Sequence, residues 1–212
     1  AALDEDAVRR ASGDENLRVV RRSNFVAFVS TGERTAEAAA VFAETHAEWT
    51  GLRDYRSNEQ EGTWLVGRPA ELRDFGAPKL DVEGAADVVE ATYTRPYIAH
   101  ASMGPSAGVA RYDGDILTVW SHGQGMHPLR KNVAEMLGLD PEKVVCHHRH
   151  GPGCYGHNGA DDAAADAAIV ALELPGETIR LQWRREEEFA YEPISPAMSV
   201  TVKVAVDAVG DP

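Results

Sequence analysis

Sulfur is scarce in this chain. Only Cys146 and Cys154 occur among 212 residues, and no CxxC or CxxCH pair is present. Iron–sulfur, zinc-ribbon and c-type haem signatures are therefore missing from the sequence. Eight positions apart, across a predicted strand and loop, the two cysteines could form one disulfide, but nothing requires it. Reduced, partly buried thiols are the default. Basic charge is also short: 21 Lys and Arg against 34 Asp and Glu leave a net charge of −13. That balance disfavours nucleic acid as a partner. The short basic clusters Arg9-Arg10, Arg18 to Arg22 and Arg184-Arg185 read as solvated faces or internal ion pairs. No apolar run approaches the roughly 18 residues of a membrane span. The first residues, AALDEDAVRR, lack the basic and apolar regions of a signal peptide and also an initiator methionine. A cytoplasmic location is expected, with a periplasmic association left open. The missing methionine fits a processed subunit, a fragment or a portion of something longer.

Several glycine signatures are missing too. There is no GxGxxG and no GK[ST], so neither a dinucleotide fold nor a P-loop is indicated. No GxSxG elbow places Ser102, Ser106 or Ser121 on a strained turn, which leaves a hydrolase unsupported.

What is present is the composition of a globular protein, 43% apolar and 26% charged. A loose N-terminus is the simpler expectation, with a short helix at Asp4–Ala11 as the other choice. Val19, Val20, Phe25, Val26, Phe28 and Val29 predict two strands around a turn at Arg22–Asn24. Thr35–Glu44 reads as a helix, and a strand is expected near His46–Trp49. Residues 50–85 hold charges, glycines and prolines, with Gly62–Val66 their one apolar burst. Asp87–Thr94 should be a strand. Gly108–Tyr112 and Asp115–Trp120 form a predicted hairpin, because Asp113-Gly114 between such runs is a strong turn signal. A helix follows with Pro128 in its first turn and Gly138 at its end. Lys143–His147 and Thr178–Trp183 are predicted strands, separated by an alanine-rich helix that Asp161 or Asp162 can cap. Arg184–Phe189 reads as a solvated acidic turn. Ser199–Val206 alternates cleanly and predicts a half-buried strand whose partner lies beyond the chain. The order implies an α+β fold with mixed α/β layers.

Two polar turns carry the chemistry. Trp120–Pro128 (WSHGQGMHP) and Val145–Asp162 (VCHHRHGPGCYGHNGADD) each end a strand and lead into a helix, so they could converge on one ligand. Gln124 lies between glycines, and its carboxamide both donates and accepts. Gly151, Gly153, Gly156 and Gly159 permit positive φ and a close backbone approach. His147, His148, His150 and His157 match no common zinc spacing. They read as hydrogen-bonding loop or surface groups, and no metal ligands are assigned.

The runs TRPYIAHASMGPSAGVA (94–110), WSHGQGMHPLRKNVAEMLGLDPEKV (120–144), HGPGCYGHNGADDAAADAAIVA (150–171) and IRLQWRREEEF (179–189) occur in an order that is familiar. Together they resemble the molybdopterin-binding large subunit of the xanthine dehydrogenase/aldehyde oxidase family. The isoquinoline and nicotinate oxidoreductase branch is nearest in character. The likeness runs from Asp87 to Val206. FVAFVSTGERTAEAAAVFAE (25–44) is similar to the last strand and helix of the small domain that precedes this core in the family. The resemblance thus implies three parts: residues 1–49, the end of a small α/β domain; 50–85, an extended connector; 86–212, the first part of the molybdopterin-binding domain, incomplete on its own.

By that resemblance, Gln124 is the glutamine that hydrogen-bonds an oxo group at molybdenum, the one residue implied to act in catalysis. Gly153, Cys154, Tyr155 and Gly156 fall on the cofactor loop, with Tyr155 at the family's phenylalanine position. The implied cofactor is molybdopterin, or its cytosine dinucleotide form. A 2Fe-2S centre and flavin or haem belong to partner chains. Implied partners are a second molybdopterin-binding chain or a C-terminal half, and an iron–sulfur subunit. The implied reaction is hydroxylation of a small N-heteroaromatic compound or an aldehyde, with water as oxygen source. Pro152 and Cys154 depart from the family's glycines, and Gly159 replaces the glutamate of purine-oxidising members. No glutamate here takes the role of general base, so another chain would complete the site. An alternative of a different class stays open: a truncated or degenerate assembly module that keeps the scaffold and binds no cofactor.

Overall fold

A computed structural model describes residues 2–50, 62–73, 75–76, 82, 85–156 and 162–212. Two compact units emerge, one from residues 1–54 and 102–190, the other from 55–101 and 191–212.

The larger unit is built on a four-stranded sheet. Its strands β4 (Ala107–Tyr112), β5 (Leu117–Ser121), β6 (Val144–His148) and β7 (Thr178–Gln182) lie in the order β6-β5-β4-β7. β4 and β5 form the predicted hairpin. Its Asp113 carboxylate accepts the amides of Asp115 and Ile116, which holds the turn and keeps that carboxyl below the usual carboxylate range. β5 and β6 are parallel, so the chain must cross over between them. Helix α4 (Met126–Leu137) makes that crossover and stops at Gly138, in the left-handed conformation. β7 pairs antiparallel with β4.

Helix α5 (Asp162–Glu173) lies across β4, β5 and β7. Ala163, Ala164, Ala167, Ala168 and Ala171 are fully buried, so a face of small side chains brings the helix close to the sheet. Leu117, Val119, Val133, Val144, Val170 and Ile179 fill the core. The hairpin β1 (Arg18–Arg22) and β2 (Phe25–Val29) packs Val20 into the same core.

A second, smaller core joins Val8, Leu17 and Ala39. Val8 belongs to α1 (Glu5–Ser12) and Ala39 to α2 (Glu33–His46). The loose N-terminus is therefore corrected to a helix: Asp4 caps it by accepting the amide of Ala7, and Gly13 closes it in the left-handed conformation. The strand expected near His46–Trp49 is corrected as well. α2 continues to His46, whose ring stacks on Phe42 one turn earlier with centroids 3.9 Å apart. Only Glu48 makes a bridge there, to Ala2.

The smaller unit is a two-stranded antiparallel ribbon, β3 (Asp87–Arg95) with β8 (Met198–Val206). The short helix α3 (Gly62–Val66) lies against β8. The apolar run at 62–66 is thus helical, while most of residues 50–85, expected as a connector, lie outside the described residues. The strand expected to pair beyond the chain instead finds its partner within it, more than one hundred residues earlier.

Facing residues of the ribbon share a side, and sides alternate along each strand. One face carries Val89, Ala91, Tyr93, Met198, Val200, Val202, Val204 and Val206, with Asp87 and Arg95 at its ends; the other carries Glu90, Thr92, Thr94, Ser199, Thr201 and Lys203, with Val88 and Ala205 at one end. On the polar face Glu90 pairs with Lys203 at 2.8 Å, and the hydroxyls of Thr92 and Thr201 meet at 2.9 Å. On the apolar face Val89, Tyr93, Met198, Val200 and Val202 are 43–65% exposed, so the expected half-burial of β8 is corrected.

The acidic turn expected at Arg184–Phe189 is helix α6 (Arg185–Tyr191), and its Glu188 is fully buried. No helix among the described residues is long and apolar enough to cross a membrane.

Candidate functional site

The two polar turns meet where the parallel strands β5 and β6 end. The amide of Arg149 donates to the Ser121 carbonyl at 2.7 Å, so the strands leave the sheet side by side. Beyond β5 the chain stays buried through Ser121, His122 and Gly123, then emerges at Gln124. The buried Ser121 hydroxyl accepts the Gly123 amide at 2.9 Å and so bends the chain outward. Nε2 of buried His122 accepts the Ala107 amide at 3.3 Å, which places that ring's proton on Nδ1.

The second turn leans on the first. A methyl group at Gly151 would stand 2.4 Å from the His122 Cβ, so only glycine lets the backbone lie against that ring. Gly153, Tyr155 and Gly156 all have positive φ, at 106°, 52° and 102°. The resulting coil folds the Tyr155 ring back over Gly153, where a Cβ would come within 2.6 Å of it. It also carries the Cys154 thiol to Gln124: Sγ donates to the Gln124 Oε1 at 3.2 Å, and accepts the Gly156 amide at 3.3 Å.

The structure thus brings Gln124, Gly153, Cys154, Tyr155 and Gly156 to one exposed surface. Tyr155 is 58% exposed there. His157, Gly159 and the capping choice Asp161 lie outside the described residues. The rings of His148 and His150 meet edge to face at 5.9 Å, and those of His147 and Trp120 stack at 5.9 Å. Cys146 and Cys154 form no disulfide. Burial pushes the Cys146 thiol up to about 11, against a smaller opposing pull from Arg130.

A buried network that sequence reasoning missed supports this surface from behind. The Glu188 carboxylate accepts the Ser106 amide at 2.6 Å, the Ser102 hydroxyl at 3.1 Å and an Arg185 N–H at 2.9 Å. Glu188 therefore pins the 102–106 segment, and Gly104 in that segment faces the Pro152 ring closely enough that a Cβ would lie 3.2 Å from it. Two of its three partners, Ser102 and Ser106, are more than eighty residues away, so little in the local sequence marks Glu188. The three-residue step from Arg185 was the one available hint.

Residues 67–211 match the family model described as molybdopterin cofactor-binding domain. A nicotinate dehydrogenase subunit of Pseudomonas putida is 28% identical over 99% of this chain, which spans 18% of that protein. The aldehyde oxidoreductase molybdenum-binding subunit PaoC of Escherichia coli K12 is 28% identical over 81% of this chain and 26% of its own length. Among solved structures, aldehyde oxidoreductase from Desulfovibrio gigas superposes with a TM-score of 0.63. It is 21% identical, over 85% of this chain and 21% of that one, a likeness of fold. Quinoline 2-oxidoreductase from Pseudomonas putida 86 superposes with a TM-score of 0.52 at 18% identity, over 59% of this chain and 16% of its own. The chain spans about a fifth to a quarter of the length of the curated relatives it matches.

Proposed function

We propose, for a chain that belongs to the molybdopterin cofactor-binding domain family, the role of a scaffold and assembly module in the large subunit of a molybdenum hydroxylase. The apolar face of the β3–β8 ribbon carries this reading. Five large apolar side chains stand 43–65% exposed on one side, while the other side is mostly polar, with only Val88 and Ala205 apolar at one end, and pairs Glu90 with Lys203. Such one-sidedness suits a strand pair that is covered on one face. The occupant we infer is further polypeptide of the same large subunit, because the relatives are about four to six times as long as the matched region. Within that frame residues 1–49 end a small domain, 50–85 connect, and 86–212 open the molybdopterin-binding domain. Oxidation of an N-heteroaromatic compound or aldehyde would then belong to the complex. Its 2Fe-2S centre and flavin or haem would lie on partner chains.

A second reading is favoured by the meeting of Gln124 with the 151–156 loop: the chain also supplies one wall of the cofactor site. The donor set fits a group rich in oxygen acceptors. With its oxygen engaged by Cys154, the Gln124 carboxamide keeps Nε2 as a two-proton donor, and the glycines keep the backbone approachable. Gln124 would orient such a group, and Tyr155 would shield one side of it. The group itself, when bound, supplies the two-electron redox chemistry.

Purification of the chain with its natural partners, followed by molybdenum and iron analysis, tests both readings. The assembly role predicts a heavier complex that Val202→Lys weakens. Recovery of the chain as a lone monomer would sink it. The wall reading predicts that Gln124→Leu lowers molybdenum content in the intact complex; content equal to that of the unmodified complex would leave the scaffold role alone.

A further inference from the structure

We infer that Cys154 is a positioning residue for Gln124, its thiol fixing which end of the carboxamide faces outward. The inference rests on the second reading above, in which Gln124 contacts the cofactor. A carboxamide is two opposite groups on one stem: an oxygen that accepts and a nitrogen that donates twice. On an exposed turn either end could face a ligand, and rotation by half a turn exchanges them.

Cys154 removes that freedom. The Gly156 amide donates to its sulfur at 3.3 Å, so the sulfur already accepts from its own loop. The thiol hydrogen is then directed at Gln124 Oε1, 3.2 Å away. With the oxygen held, Nε2 and its two hydrogens point away from the sulfur. The arrangement has rigid supports on both sides. Beneath Gln124, the Ser121 hydroxyl holds the Gly123 amide, and Gly151 lies against the buried His122 ring. Around the sulfur, the backbone passes through positive φ at Gly153, Tyr155 and Gly156. Tyr155 is not a glycine, and a non-glycine residue in that region persists only when its surroundings enforce it. The coil that sets Tyr155 over Gly153 is the same coil that aims the thiol. A ligand offering oxygen acceptors would meet two oriented N–H groups, without first ordering the side chain.

Side-chain NMR of the 15N-labelled full chain tests this, with the Gln124 NH2 pair assigned by its disappearance in Gln124→Met. The expected native result is a high heteronuclear NOE, the mark of a fixed group. Cys154→Ala should lower it to the value of exposed mobile glutamines, and Cys154→Ser, which restores a donor, should recover it. Should Cys154→Ala fail to fold, methylthiolation of Cys154 in the folded chain, in a Cys146→Ala background, removes the thiol hydrogen instead. It should give the same fall. A Gln124 signal equally mobile in native and treated chains overturns the proposal, as does one equally fixed in both. In the assembled enzyme, Cys154→Ala should reduce kcat about fivefold, the worth of one neutral hydrogen bond, with Cys154→Ser closer to native. A fixed Gln124 amide that Cys154→Ala releases, in a complex where Gln124→Leu leaves molybdenum content and kcat unchanged, keeps the lock and sinks only the wall reading.

Discussion

Gly108 of β4 and Ala164 of α5 touch backbone to backbone: a methyl group at Gly108 would stand 2.5 Å from the Ala164 Cα and 2.9 Å from the Ala163 carbonyl oxygen. Neither neighbour is a flexible side-chain end, so any added atom must push the helix off the sheet. Gly108→Ala should therefore lower stability by about 1–3 kcal/mol, the usual cost of overfilling a packed core. The check is a urea titration at neutral pH. An unchanged midpoint would mean that α5 does not sit on the sheet as closely as described.

Glu188 is a fully buried carboxylate of the larger unit, with three donors around it. Glu188→Ala leaves the Ser106 amide without this acceptor and removes the Arg185 counter-charge, so a loss of about 3 kcal/mol is expected. Glu188→Gln, which keeps an acceptor but no charge, should lose less. Because Glu188 pins the segment that faces Pro152, Glu188→Ala should also raise hydrogen exchange at Cys154 and Gly156 more than in α4. Equal protection in the two variants would separate this anchor from the site.

Local chemistry was legible in the sequence and distant pairing was not. The Asp113-Gly114 turn could be read because the side chain that makes it is two and three residues from the amides it holds. The alanine face of α5 and the end of α4 at Gly138 were legible for the same reason. The end of α2 was not, since stacking of His46 on Phe42 carries the helix into residues expected as a strand. β3 and β8 were both expected as strands, but their pairing depends on residues such as Thr92 and Thr201, 109 positions apart. Glu188 illustrates the limit most sharply. In sequence it is one glutamate of three, and only the arrival of Ser102 and Ser106 makes burial affordable. For the site, Gln124 and the loop were each visible, while the thiol contact joining them required the positive φ at Tyr155.

Cys146 should be a slow thiol. Burial raises the Cys146 value from 9.0 to about 11, which leaves roughly one thiolate in ten thousand at pH 7. Iodoacetamide labelling in the folded chain should therefore stay slow at Cys146 and accelerate as pH rises toward 11. The sign for stability follows. The folded state favours the protonated thiol, so the contribution is full below pH 9 and is lost as pH climbs through 11. Cys146→Ala should flatten that part of the stability profile. Rapid labelling of Cys146 at pH 7 would contradict its burial.

The ribbon separates folding from assembly. Val202 faces outward beside Ala91, 44% exposed, on the apolar side of β8. Lysine tolerates such a position in an exposed strand, so Val202→Lys should change the stability of the chain itself by no more than about 0.5 kcal/mol. In the complex the same charge would be buried against apolar surface without a partner, which is costly. Association should weaken at least tenfold, as read by analytical ultracentrifugation of the chain with its partners. Thr201→Lys, on the polar face, adds the same charge on the other side and should leave association within about twofold. If both substitutions weakened it equally, charge rather than the apolar face would govern the contact. If neither did, the ribbon would have to be covered elsewhere or not at all.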